Sequence, residues 1–404
     1  MTERPPDDAD GRGRPRILAV ATRFPWSSET FIERKVRALR HDGFDVTVAA
    51  PWIYPQDPSA DPVPVLQLPQ VRSARTWGPS ARALLHDRRA RQLVPGALRD
   101  RSRALWVVPI AAGHYDIIHF EFSGIALTVA ELLPALAPAR LVVSCRGHAE
   151  QIAPQQEPGR AERMRAMFAR MDLIHCVSDD MARTVLELGA PADKILVNRP
   201  AVDTARWQGV GRVDPDERGT GEKPLRVLSV GRLHWKKGFD DAIRAVALAR
   251  QAGVTIDYRI AGEGPELEKL QYLRHSLGLE DSVTLLGWQS QDQVESQLAW
   301  ADVFLLPSLS EGISNSALEA LAAGLPTVST RCGGMEEVLE GTDAGILVDV
   351  GDVDTWAATL GSLTEPTCRQ ALATAGVARV TDAFDLSRQA RVFGAAYETL
   401  AADR

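Results

Sequence analysis

Residues 302–329 read DVFLLPSLSEGISNSALEALAAGLPTVS, and their pattern decides the fold class. The apolar run at 302–306 reads as a buried strand. A polar loop with Glu311 and Gly312 follows it, then a helical pattern over 314–323 that contains Glu319, then Gly324 and a second strand at 326–329. Strand, helix and strand in that order form a parallel βαβ unit, with helices covering both faces of the sheet.

The same alternation extends outward in both directions. The second half offers further strands at 225–230, 256–261, 283–286 and 345–348, with helices at 239–252, 265–278, 292–300 and 335–340 between them. In the first half, strands are expected at 16–21, 44–50, 116–120, 140–145, 172–177 and 194–197, while the Pro- and Arg-rich residues 51–110 resist assignment. The polar stretch QGVGRVDPDERGTGEKP at 208–224 reads as a linker. The expected division is a disordered tail over 1–15, a first domain over 16–205, a linker over 206–224, a second domain over 225–385, and a terminal helix over 386–404 that returns to the first domain. The expected fold class is α/β, with two Rossmann-like doubly wound domains facing a cleft. Such sheets bind ligands at the carboxyl ends of their strands.

Composition narrows the field. A chain of 404 residues exceeds what one core supports, and 45% hydrophobic with 25% charged residues is ordinary for a soluble globular protein. The net charge of −7 argues against a general nucleic-acid binder. Cys145, Cys176, Cys332 and Cys368 are far apart, form no CxxC pair, and suit a reducing cytosol. Residues 1–14 are polar and lack the apolar segment of a signal peptide, and no apolar run is long enough to span a bilayer. The expected location is therefore cytoplasmic. Nine arginines between Arg72 and Arg103 crowd one region. They are either a solvated surface or one that meets a lipid-diphosphate acceptor or the inner face of an anionic membrane.

Several strand ends carry chemistry-bearing residues. In SVGRLHWKKGFDDAIRA, 229–245, Gly231 permits a tight turn, and Arg232 and Lys237 are either solvated or aimed at phosphates near a helix start. In IAGEGPELEKL, 260–270, Gly262 and Gly264 form a turn able to bring backbone close to a ligand, and Pro265 stands at the expected helix start. Within the opening stretch, eight residues of pure helix would set Glu311 and Glu319 about 80° apart around the axis. A loop position for Glu311 relaxes that limit. Both carboxylates are then either solvated, as most helix glutamates are, or placed to flank a ligand and accept from vicinal hydroxyls of the kind a sugar or ribose presents. Gly333 and Gly334 precede another helix start, whose dipole accounts for Glu336 and Glu337. Ser28 or Thr30 caps a helix or meets a ligand after the first strand. His148 lies just past the strand ending at Cys145, and Asp352 and Asp354 read as helix-capping residues.

Taken together, VGRLHWKKG, AGEGPELEKL, DVFLLPSLSEG, EGISNSALEALAAGLPTV and GGMEEVL resemble the family-four retaining glycosyltransferases of GT-B fold, in the family's order and spacing over roughly residues 16–390. FPWSSETFI resembles the exopolysaccharide and colanic-acid branch. The resemblance implies an acceptor-binding first domain and a nucleotide-sugar-binding second domain. It assigns Arg232 and Lys237 to the donor diphosphate, with Gly231, Gly262, Gly264, Gly312, Ile313, Ser314 and Asn315 lining the donor. Glu311 then meets the sugar hydroxyls, Glu319 the ribose, and His148 lies near the transferred sugar. The sequence departs from the family at three places. RFPWSSET replaces a glycine-rich loop, EGIS replaces EGFG, and NRPAVD replaces NGVD.

The expected reaction is retaining transfer of a hexose-type sugar from a nucleotide-diphosphate sugar to a glycan, lipid-linked or small-molecule acceptor, without cofactor or metal. Two alternatives stay open: a sugar-nucleotide 2-epimerase of the same fold, and a non-catalytic sugar-nucleotide-binding protein. A nicotinamide dehydrogenase is disfavoured, because no complete G-x-G-x-x-G follows a strand.

Overall fold

The computed structural model describes residues 14–26, 29–58, 60–70, 78, 101–210 and 223–403. It divides into two compact units, residues 1–198 with 387–404 and residues 199–386. The arginine-rich run before Arg101 lies outside the described residues, as do Ser28 and residues 211–222 of the polar stretch.

The first unit is built on a parallel seven-stranded sheet. Its strands are β1 (Arg16–Val20), β3 (Asp45–Ala50), β5 (Val65–Gln67), β6 (Ile117–Phe120), β7 (Arg140–Cys145), β8 (Leu173–Cys176) and β9 (Ile195–Val197), ordered β5-β3-β1-β6-β7-β8-β9. A short parallel ribbon, β2 (Arg23–Phe24) with β4 (Trp52–Ile53), continues beyond β1 and β3. The second unit has six parallel strands: β10 (Leu225–Val230), β11 (Ile256–Ala261), β12 (Val283–Gly287), β13 (Val303–Leu306), β14 (Thr327–Thr330) and β15 (Gly345–Val348). Their order is β12-β11-β10-β13-β14-β15. Strand order reverses between β1 and β6 in one unit and between β10 and β13 in the other, the position at which doubly wound sheets in general receive ligands.

The strands are apolar on both faces because helices cover both. In the second unit Phe239–Gln251 and Val353–Ser362 pack one face, and Asn315–Ala322 and Met335–Leu339 pack the other. Caps follow the sequence in several places. Ser314 accepts from the Ala317 N–H, and Asp352 from the Thr355 N–H, the capping role expected of it. Two expected starts are corrected. Glu29, not Thr30, occupies the N-cap of Thr30–His41, so Thr30 is already helical. Helix Leu267–Ser276 begins two residues after Pro265, which stays in the turn.

The terminal helix Leu386–Ala402 returns to the first unit and covers one face of its sheet with Phe393 and Tyr397. Beneath it runs a buried polar chain. The Tyr397 hydroxyl is 2.6 Å from His119 Nδ1, His119 Nε2 is 2.8 Å from Ser144 Oγ, and Ser144 Oγ is 2.7 Å from His175 Nδ1. His175 Nε2 ends the chain 2.7 Å from the Asn198 carbonyl. A carbonyl only accepts, so His175 donates from Nε2 and accepts at Nδ1 from Ser144; Ser144 accepts from His119 Nε2–H, and His119 Nδ1 accepts in turn. Every bond is satisfied with both histidines neutral. Burial, reinforced by Lys35 and Arg146, keeps both well below the ordinary imidazole value.

On unfolding, each imidazole regains its ordinary value near 6.5 and takes up a proton that the folded site refuses. Stability is therefore present above that value and falls as pH drops below it. Urea unfolding at pH 7.5 and 5.5 is expected to show this loss, and His175→Gln to reduce the pH dependence. Tyr397→Phe is expected to cost about 0.5–1.5 kcal/mol, the worth of one hydrogen bond, because Lys35 Nζ, 3.3 Å from His119 Nδ1, still satisfies that acceptor.

Candidate functional site

At the carboxyl ends of β10, β11, β13 and β14, the loops of the second unit touch backbone to backbone. A Cβ on Gly262 would stand 1.9 Å from the Gly231 carbonyl, one on Gly264 2.2 Å from that of Leu233, and one on Gly238 2.0 Å from that of Pro307. On Gly334 it would lie 2.7 Å from the Gly312 carbonyl. Hydrogen bonds join the same loops: Gly231 N–H to Ala261 O at 3.0 Å, Leu233 N–H to Glu263 O at 2.9 Å, and Leu309 N–H to Lys236 O at 2.7 Å. The close approach that Gly262 and Gly264 permit is thus to the protein's own backbone. Glu263 contributes its carbonyl to this framework.

This packing brings charge together across the reversal point. Lys237, in the turn after β10, donates to Glu311, in the loop after β13, at 2.8 Å. Both are largely buried, with side chains 12% and 17% exposed. Lys236 is half-buried beside them. Burial lowers its pKa, Glu311 opposes that shift, and Lys237 and Arg232 add to it. Arg232 itself is exposed. Lys237 and Lys236 therefore both act on one carboxylate at the mouth of the sheet, and Arg232 lies close enough to Lys236 to add positive charge there. Lys236 escaped notice in the sequence because it reads as the solvated neighbour of Lys237.

The other residues expected at the site cluster around the next helix. Ser314 caps Asn315–Ala322, its N–H faces the Met335 sulfur at 3.5 Å, and Ser316 donates to the Val230 carbonyl at 3.1 Å. Asn315 Oδ1 is buried with no hydrogen-bond partner among the described residues. Ile313 is buried against Gly334, and Glu319, on the helix, is only 9% exposed. Cys332 is no nucleophile here, since burial pushes its thiol up to about 11.

In the first unit, His148 is exposed at the start of the short helix His148–Gln151. The turn before it is tied down. Glu150 accepts from the Gly147 N–H at 3.0 Å and from Ser123 Oγ. Arg146 donates to the Glu121 carboxylate and carbonyl, both at 2.9 Å. Lys35 pairs with the same carboxylate. Burial alone would raise the Glu121 pKa, but the two cations hold it below the usual range. The signal missed in the sequence was a charge directly after an apolar strand, as in DIIHFE and RLVVSCR.

A family model described as "Glycosyl transferases group 1" matches residues 212–373, and one described as "Glycosyl transferase 4-like domain" matches residues 28–201. The chain is a family-four glycosyltransferase. WcaL of Escherichia coli K12, named for colanic acid biosynthesis, is 29% identical over 378 residues, covering 85% of this glycosyltransferase and 89% of WcaL. The amylovoran biosynthesis glycosyltransferase AmsK of Erwinia amylovora is 28% identical over 385 residues, covering 87% and 91%. Among solved structures, sucrose-phosphate synthase from Thermosynechococcus elongatus superposes with a TM-score of 0.75 at 18% identity, covering 97% of this chain and all of that one. Anabaena HepE in complex with UDP-glucose gives 0.69 at 18%, covering 96% and 100%. These structural likenesses establish the GT-B fold.

The loop framework makes a testable demand. Gly238 and Gly253 both have positive φ, +62° and +91°, but a Cβ on Gly253 meets nothing within 4 Å. Gly253→Ala is expected to cost only the left-handed strain, about 1–2 kcal/mol. Gly238→Ala is expected to cost more, because it also drives the β10 and β13 loops apart. Urea unfolding of the two variants compares them.

Proposed function

We propose that this glycosyltransferase moves a hexose-type sugar from a nucleotide-diphosphate donor to an acceptor of an exopolysaccharide pathway, with retention of anomeric configuration. One observation carries the proposal: the Lys237–Glu311 pair, with Lys236 and Arg232 beside it, at the reversal point of the second sheet. Three cations and one carboxylate leave two positive charges, which complement a diphosphate bridge. The names of WcaL and AmsK support the exopolysaccharide setting, and the UDP-glucose bound to HepE supports a nucleotide-sugar donor.

On this proposal Arg232 and Lys237 hold the diphosphate, Glu311 accepts from the sugar hydroxyls, and Glu319 from the ribose. The backbone of Gly231, Gly262, Gly264, Gly312, Ile313, Ser314 and Asn315 forms the wall, and His148 serves the transferred sugar. The acceptor oxygen forms its bond to the anomeric carbon as the bond to the phosphate oxygen breaks, on the same face. The acceptor's proton passes to that phosphate oxygen. Charge gathering on the leaving diphosphate is met by Arg232 and by Lys237, which turns from Glu311 toward a phosphate oxygen when the donor binds, so the cations are in place before the bond breaks. No covalent nucleophile is assigned, since Glu311 is already engaged by Lys237.

Transfer from UDP-glucose to membrane-extracted acceptors tests the assignment. Glu311→Ala and Lys237→Ala are each expected to abolish transfer while the protein stays folded by circular dichroism. Near wild-type rates in either would remove that residue from its role. Lys237→Met and Arg232→Met are expected to weaken UDP-glucose binding about 10- to 100-fold, the worth of one charged hydrogen bond. Incubation with UDP-glucose alone separates transfer from epimerisation, which would yield a C2 epimer without acceptor.

A further inference from the structure

The ribbon of β2 and β4 prolongs β1 and β3 past their carboxyl ends, where a doubly wound sheet receives its ligands. Arg23 pairs in register with Trp52, and Phe24 with Ile53. The pleat turns Phe24 into the core, at 1% exposure, so Arg23 and Trp52 stand outward. The Tyr54 N–H, bonded to the Phe24 carbonyl at 2.8 Å, continues the ribbon by one residue. Trp52 is 45% and Tyr54 37% exposed, a large solvated cost for rings that a core would bury. The Trp26 indole lies against Tyr54 with centroids 5.1 Å apart, and the Arg23 guanidinium sits 4.6 Å over the Trp26 ring. Among the described residues Arg23 pairs with no carboxylate.

We propose that Arg23, Trp26, Trp52 and Tyr54 form a saccharide ledge, on which a pyranose ring of a carboxylate-bearing acceptor glycan stacks while Arg23 receives its carboxylate. A pyranose presents an apolar C–H face and a polar rim, and exposed flat rings desolvate that face at little cost in side-chain entropy. A guanidinium already held over an indole offers its planar fork to a carboxylate in bidentate fashion. A bilayer surface fits less well, since it rewards several clustered cations, and the ledge has one among the described residues. In calling the glycan an acceptor, the proposal rests on the transfer function above.

The test uses the full chain and saturation-transfer NMR with two probes, cellobiose and its glucuronic-acid counterpart cellobiouronic acid. Pelleting with phosphatidylglycerol vesicles runs alongside. The acid is expected to bind more tightly than cellobiose. Trp52→Ala with Tyr54→Ala is expected to weaken both sugars about tenfold. Arg23→Gln is expected to bring the acid down to the affinity of cellobiose and leave cellobiose unchanged. The ledge is overturned if neither sugar binds wild type, if the double variant binds both as well as wild type does, or if vesicle binding alone depends on these rings. Stabilisation by UDP, followed by thermal shift, is expected in wild type and both variants. Its absence in wild type would count against the donor assignment, whereas its presence without ring-dependent sugar binding would sink the ledge alone.

Discussion

No side chain fits between the loops that follow β10, β11 and β13, and the second unit's site depends on that constraint. Gly262 and Gly264 lie against the backbone of the β10 loop, and Gly238 against that of the β13 loop. A positive φ supplies the turn, and the missing Cβ supplies the approach. With the loops pressed together, Lys237 and Glu311 meet although 74 residues separate them. Charge is thus positioned by backbone packing, and the ion pair needs little flexible side chain to reach across.

Each unit places a lysine and a glutamate across its reversal point, and the two differ in burial. Lys35 and Glu121 are sealed, at 3% and 0% exposure, with Arg146 as a second cation on the same carboxylate. Breaking such a pair by removing one partner leaves a buried charge, so its role is to fix the geometry of the turn before His148. Lys237 and Glu311 remain partly open to solvent. An ion pair that a ligand can reach can exchange its partner for a phosphate or a hydroxyl. Like residues therefore form a sealed clasp in one sheet and a pair partly open to solvent in the other.

Much of the second unit was legible because its strands are short apolar runs bounded by glycine turns. The runs at 225–230, 256–261 and 345–348 coincide with β10, β11 and β15. In the first unit the expected runs at 116–120, 140–145 and 172–177 hold β6, β7 and β8, whereas β4 and β5 lie in the Pro- and Arg-rich stretch that resisted assignment. What those runs did not show is the buried polar chain through His119, Ser144 and His175, because Tyr397, which begins it, lies 278 residues from His119. Lys35 looks like a solvated helix residue until Glu121 is placed beside it. The two-residue strands β2 and β4 are too short to show any period. Arg232, Lys237 and Glu311 drew notice from their place after strands, and the structure brings Lys237 and Glu311 together, while Lys236 was hidden by its neighbour.

The central claim is that the cations at the reversal point of the second sheet hold a diphosphate. A crystal structure of the protein with UDP-glucose tests it most directly. The account predicts phosphate oxygens at hydrogen-bond distance from Arg232 and Lys237, about 3 Å, with sugar hydroxyls donating to Glu311. A nucleotide bound elsewhere, with Arg232 and Lys237 facing bulk solvent, would contradict it.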